Sequence, residues 1–182
     1  MQKMFGTDIE ELLMRIRAIQ FGKVDLDISG LDITCLPILP NTLAQLNCSN
    51  TKIVSLPELP NSLNNLDCNN TLITKLPALP GTLINLDCSH TKITRLPKLS
   101  ESLIELNCSY NNIEILPKLP SSLKYLNCSH CSIIDLPELS SLLIEFRCHD
   151  NHILRLPELP DGLEVLNCSE TWIPYCSEIK QH

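Results

Sequence analysis

The sequence predicts an α/β solenoid, with short parallel β-strands on a concave face, an extended polyproline II convex face and a capping helix at its N-terminal end. Three observations carry this expectation. Cysteine stands at 48, 68, 88, 108, 128, 148 and 168, an unbroken interval of twenty. The same phrase surrounds each one, Leu-x-x-Leu-x-Cys-Ser-x-Thr-x-Ile-x-x-Leu-Pro-x-Leu-Pro-x-x, and a fixed period of this length marks stacked coils. The prolines of that phrase, three apart, forbid a helix in the return segment and suit polyproline II with its three residues per turn.

The first element, in residues 1–22, is the capping helix. Thr7-x-x-Glu10 reads as a capping box, and Ile9, Leu12, Leu13, Ile16 and Ile19 make one stripe at helical spacing before Gly22 stops it. An open stack exposes apolar surface at its ends, so the stripe is expected to lie on the first coil. Lys3, Asp8, Glu10, Glu11, Arg15 and Arg17 interrupt the apolar residues, which excludes a signal peptide and a membrane span there. A reducing, intracellular setting follows, and the ten cysteines are read as thiols.

Eight coils of twenty residues then occupy residues 23–176. The first, from Lys23 to Thr42, is degenerate but keeps Leu26, Ile28, Ile33, Leu36 and Leu39 in register. The other seven begin at Leu43, Leu63, Leu83, Leu103, Leu123, Leu143 and Leu163 without insertion or deletion. Six positions in each coil are apolar, the first, fourth, sixth, eleventh, fourteenth and seventeenth, and these must point inward. Leu46 and Cys48 are two apart, so residues around Asn47 read as a strand with alternate side chains facing out. The last coil keeps Leu163, Leu166, Cys168 and Ile173, and Trp172, Tyr175 and Cys176 are expected to close that end. Residues 177–182 form a tail.

The sixth-position cysteine takes a leucine site and acts as a small hydrophobe. Neighbouring thiols lie near disulfide distance, but their parallel Cβ vectors disfavour bridges. A single file also provides no tetrahedral metal cage. Cys128-Ser-His-Cys131 spells Cys-x-x-Cys, yet Cys131 merely replaces the ninth-position Thr or Asn. That position is expected to hydrogen-bond turn backbone from coil to coil, with Cys131 as its weak point.

The third, fifth, seventh and eighth residues of each coil are expected to line the concave face. The fifth, mostly Asn or Asp, and the seventh, mostly Ser, read as structural. The third and eighth vary and carry the candidate partner-binding residues: His90, Glu105, Tyr110, Tyr125, His130, Glu145 and Asp150, joined by Arg147 and His149. Tyrosine and arginine are favoured at binding hot spots. Across these four columns stand Asp25, Asp27, Asp67, Asp87, Glu105, Glu145, Asp150 and Glu170 against Arg147 alone. Eight acids less one base leaves -7, equal to the formal charge of the whole chain. An acidic face selects a partner protein with a neutral or basic surface and disfavours nucleic acid, whose phosphates draw on Lys and Arg.

Ser129 with His149, and His130 with Asp150, share columns in adjacent coils. A flat open sheet supplies no oxyanion site, so no catalytic residue is assigned. His130, His149 and Asp150, with His152 at the turn edge, are metal-capable types, but no metal or cofactor is assigned.

Leu43-x-x-Leu46-x-Cys48-x-x-Thr51-x-Ile53, followed by Leu-Pro-x-Leu-Pro, resembles the short form of the leucine-rich repeat. Over residues 23–176 it is similar to the repeats of bacterial effectors of the YopM and IpaH kind, and to leucine-rich repeat proteins of large DNA viruses. The resemblance implies a nonenzymatic protein-interaction module acting on a host protein in the host cytoplasm. A structural or self-associating role, or the substrate-recognition part of a larger effector ubiquitin ligase, are the alternatives. Cys148-His149-Asp150 imitates the ligase family's Cys-x-Asp motif, but Cys148 is a core position, and ligase activity is not carried over.

Overall fold

The expected architecture is present in the computed structural model, which describes residues 4–20 and 24–173. Helix α1 (Met4–Gln20) precedes eight three-residue strands: β1 (Asp25–Asp27), β2 (Gln45–Asn47), β3 (Asn65–Asp67), β4 (Asn85–Asp87), β5 (Glu105–Asn107), β6 (Tyr125–Asn127), β7 (Glu145–Arg147) and β8 (Val165–Asn167). They form one parallel sheet in sequence order. Every pairing joins residues twenty apart, as in Leu46 with Leu66 and Leu106 with Leu126. The twenty-residue period is therefore one turn of the solenoid, and each coil repeats the previous one's backbone contacts.

The inward columns pack as the sequence requires. Leu43, Leu46, Cys48, Ile53 and Leu56 are all buried, and their equivalents continue the same core along the axis. Phe146 replaces the strand leucine in β7 and is fully buried. Cys48, Cys68, Cys88, Cys108, Cys128 and Cys148 are free, buried thiols. Burial pushes the Cys48 and Cys148 thiols up to about 12, so the thiolate is suppressed along the ladder. Cys168 departs from the all-thiol expectation, being disulfide-bonded.

Return segments carry no helix among the described residues. A turn closes each one: the Leu43 N–H donates to Pro40 O at 3.0 Å, and Leu63 and Leu83 repeat this on Pro60 and Pro80. Where Ser100 and Ser140 replace that proline, each hydroxyl donates to a carbonyl of the preceding coil, Gly81 O or Ser121 O, at 2.8 Å. A second ladder escaped the sequence reading. The hydroxyls of Ser62, Thr82 and Ser122, at the last position of their coils, lie 2.6–2.9 Å from two carbonyls about one turn back, one at the end of the previous coil and one on the first leucine of their own.

Helix α1 packs against β1, burying Leu12 and Ile19, with Ile16 partly buried. Two expectations need correction. The helix begins at Met4, so Thr7 lies within it and is not its N-cap. Ile9 and Leu13 are exposed, bordering an apolar groove with Leu36 and Pro37, so the stripe is only partly covered by the first coil. Docking is polar as well: the Asp32 N–H donates to Asp8 Oδ2 at 2.8 Å, and the Arg15 guanidinium donates to Asp27 O. At the other end Trp172 is exposed and lies against His152, ring centroids 4.8 Å apart, at the surface instead of over the core. Tyr175 and Cys176 lie outside the described residues. Among the described residues no helix is long and apolar enough to cross a membrane.

Candidate functional site: the concave face

Two of the four columns expected on this face belong to the strands. The third and fifth residues flank the buried fourth and point outward, so Glu105, Tyr125 and Glu145 stand side by side on β5, β6 and β7. The seventh column is a correction. Ser49, Ser89, Ser109 and Ser129 are 2–5% exposed and face no partner. Their burial follows from an Asx turn: Asn47 Oδ1 accepts the Ser49 N–H at 3.0 Å, and Asn107 and Asn127 accept both the N–H and the hydroxyl of Ser109 and Ser129. Asp27, Asp67, Asp87 and Asn167 do the same in their coils. Ser129 Oγ is thus committed to Asn127 and is no nucleophile for His149.

The eighth column lies just past each strand, and its backbone is left-handed throughout. Asn50 and Asn70 have φ of 57° and 51°, Gly30 has 74°, and His90, Tyr110, His130, Asp150 and Glu170 have 50–55°. Glycine and asparagine suit this region, aspartate and histidine tolerate it, and tyrosine and glutamate adopt it at a cost of about 1 kcal/mol. The middle coils accept that cost and place an aromatic file on the rim. Tyr110 stacks between His90 and His130 with centroids 4.0 Å apart on either side, and His149 meets His130 edge-on at 5.0 Å.

At β7 the Asx turn is absent, because Arg147 and His149 replace its acceptor and its serine. Arg147 is paired with Glu145 on its own strand, Nε to Oε1 at 2.5 Å, so its charge is partly spent within the molecule. Asp150 Oδ2 lies 3.3 Å from His130 Nε2 and 4.0 Å from His149 Nε2. His149 Nδ1 is buried with no hydrogen-bond partner. Burial, and then the nearby His130, hold the His149 pKa below the usual imidazole range. His152 is not in this cluster, being turned toward Trp172.

Charge divides the face in two. Strands β1–β5 frame a shallow trough of about 430 Å³ whose lining includes Asp25, Asp27, Asp67, Asp87 and Glu105 and no basic residue. Burial, and beyond it the facing Asp87, raise the carboxyl of Asp67 above its ordinary range. The hydrogen bonds from Ser29 hold Asp27 below it. A second trough, over β5–β7, is lined by Glu105, Tyr125, Glu145 and Arg147 with their neighbours. Of the nine candidate residues, Glu105, Tyr125, Glu145 and Arg147 share this strand surface, and His90, Tyr110, His130, His149 and Asp150 share the adjoining rim.

No protein-family model and no curated protein matches the sequence. Solved structures do. A Shigella effector repeat domain superposes with a TM-score of 0.85 at 28% identity, covering 93% of this chain and 79% of that one. YopM, a leucine-rich effector protein from Yersinia pestis, gives 0.82 at 32% identity, covering 87% and 46%. The functional domain of InlJ from Listeria monocytogenes, which includes a cysteine ladder, gives 0.75 at 28% identity, covering 82% and 35%. The chain spans less than half of the Yersinia and Listeria chains.

Proposed function

We propose, from a chain that folds as a leucine-rich-repeat solenoid like those of bacterial effectors, that its concave face is a nonenzymatic recognition surface for a partner protein. The partner's surface is basic, and the setting is a host cell. The observation that carries this reading is the unneutralised trough over β1–β5 beside an aromatic file. A lysine- or arginine-bearing surface satisfies the trough, while Tyr110 and Tyr125, 47% and 40% exposed, supply rigid apolar contact next to it. Nucleic acid and membrane are disfavoured by the same charge. Nothing here argues for an enzyme: the two serines in line with His149, Ser129 and Ser169, both donate their hydroxyls to the turn residue two places before them, Asn127 and Asn167.

Two variants separate the parts of the surface. Asp25→Asn, Asp67→Asn, Asp87→Asn and Glu105→Gln together remove charge while an amide oxygen keeps each Asx turn. Tyr110→Ser with Tyr125→Ser removes the aromatic contact. Affinity capture from host-cell lysate, at low and moderate salt, should retain a basic protein on the natural chain and lose it on both variants and as salt rises. Capture of one identical set by all three proteins sinks the assignment. Sedimentation of the same samples then tests self-association as the alternative.

A further inference from the structure

We propose that His130, His149 and Asp150 form a surface site for one divalent transition-metal ion of the zinc type. The three side chains come from the ends of two adjacent strands, β6 and β7, and their candidate ligand atoms all lie within 4.8 Å of one another. An ion held at about 2.0–2.2 Å from each ligand in tetrahedral geometry needs them about 3.3 Å apart. The Asp150–His130 pair is already at 3.3 Å and the Asp150–His149 pair at 4.0 Å. Binding would draw His149 inward, since the widest pair of the three lies within 4.8 Å.

The repeat itself argues that these residues are there for something other than the fold. An Asx turn follows the strand in seven of the eight coils. The coil of β7 gives it up for Arg147 and His149. The exchange leaves His149 Nδ1 buried and without a partner. The turn's hydrogen bond is lost and none replaces it. His130 and Asp150 stand in the left-handed column, where Asn50 and Asn70 show what the backbone accepts most readily. The departures from the repeat meet at one point.

The donor set narrows the ion. Two imidazole nitrogens and one carboxylate oxygen suit zinc and its neighbours, whereas calcium and magnesium seek oxygen alone. His130 is positioned by its stack on Tyr110, so its ring is oriented before any ion arrives. All three side chains remain 21–37% accessible, so a fourth position is open toward solvent. Such an ion would also staple the coil of β6 to the coil of β7.

The test uses the full, tag-free chain carrying Cys35→Ser, which removes the exposed thiol, titrated with zinc alone by calorimetry and with cobalt by absorbance. His149→Ser restores the serine of the repeat, and His130→Asn restores the residue best suited to the left-handed backbone. Both are expected to fold, which circular dichroism checks. The expected result is one ion per chain, visible cobalt bands without thiolate charge transfer, and affinity reduced about tenfold or more in each variant. The melting temperature should rise with zinc in the parent and not in the variants. Unchanged affinity in both variants, a thiolate charge-transfer band, or no zinc binding by the parent would each overturn the proposal.

Discussion

At the ninth position of the coil, a single side chain decides how many backbone carbonyls find a donor. Asn111 Nδ2 donates to Cys88 O and Cys108 O at 2.9 and 3.0 Å, and Asn151 repeats this on Cys128 O and Cys148 O. Each asparagine ties its own coil to the one before it. Thr51 and Thr71 reach their own coil, through Cys48 O and Cys68 O at 2.8 Å, while Thr91 also donates to Asn111 Oδ1 of the next coil at 2.7 Å, so the coil-to-coil ladder expected at this position rests mainly on the asparagines. Cys131 donates a weaker thiol bond to Cys108 O at 3.4 Å. Cys131→Asn should therefore stabilise the chain by about 1 kcal/mol, seen as a higher urea midpoint with an unchanged slope. A lower midpoint would mean that the larger amide does not fit the site.

At the scale of the strand, cross-strand neighbours twenty residues apart set the electrostatics. Asp67 on β3 faces Asp87 on β4, two carboxylates in one column with no base between them. The raised pKa of Asp67 means that the folded chain holds this proton more tightly than the unfolded chain does. Its ionised form is therefore destabilising at neutral pH, and the penalty fades as pH falls through the raised value. Asp67→Asn should stabilise the chain at pH 7 by a few tenths to about 1 kcal/mol. The gain should vanish near pH ~3, where the carboxyl is protonated in either state. Thermal melts of both proteins across that range give the answer, and a gain that persists in acid would point to packing instead of charge. The strands themselves were legible in the sequence, because leucine and cysteine recur at fixed offsets and the fold has no other place for them. Less visible was the left-handed eighth column. Gly30, Asn50 and Asn70 signal it, but His90, Tyr110 and His130 disguise it as a freely variable surface. The serine column was misplaced for a related reason: a polar residue reads as exposed until its turn hydrogen bond is known.

Taken whole, the molecule is a row of equivalent units in which each coil contacts only its neighbours, so its stability rests heavily on its ends. Helix α1 covers the first coil through Leu12 and Ile19, whereas Ile9 stays half open to water. Leu12→Ala should cost about 2 kcal/mol or more, by emptying a buried site. Ile9→Asp should fall within about 0.5 kcal/mol of the parent, as surface changes usually do. Equal effects of the two would show that the helix does not sit on the coil as described. The cap's existence and length were readable from its apolar stripe, but its start was not, since the capping signal at Thr7 lies inside the helix. At the opposite end the chain's single tryptophan, Trp172, rests on His152 one coil back. The protein thereby carries an intrinsic fluorescent gauge of its far terminus. Emission from Trp172 reports whether the eighth coil is still seated on the seventh, separately from any signal of the sheet as a whole.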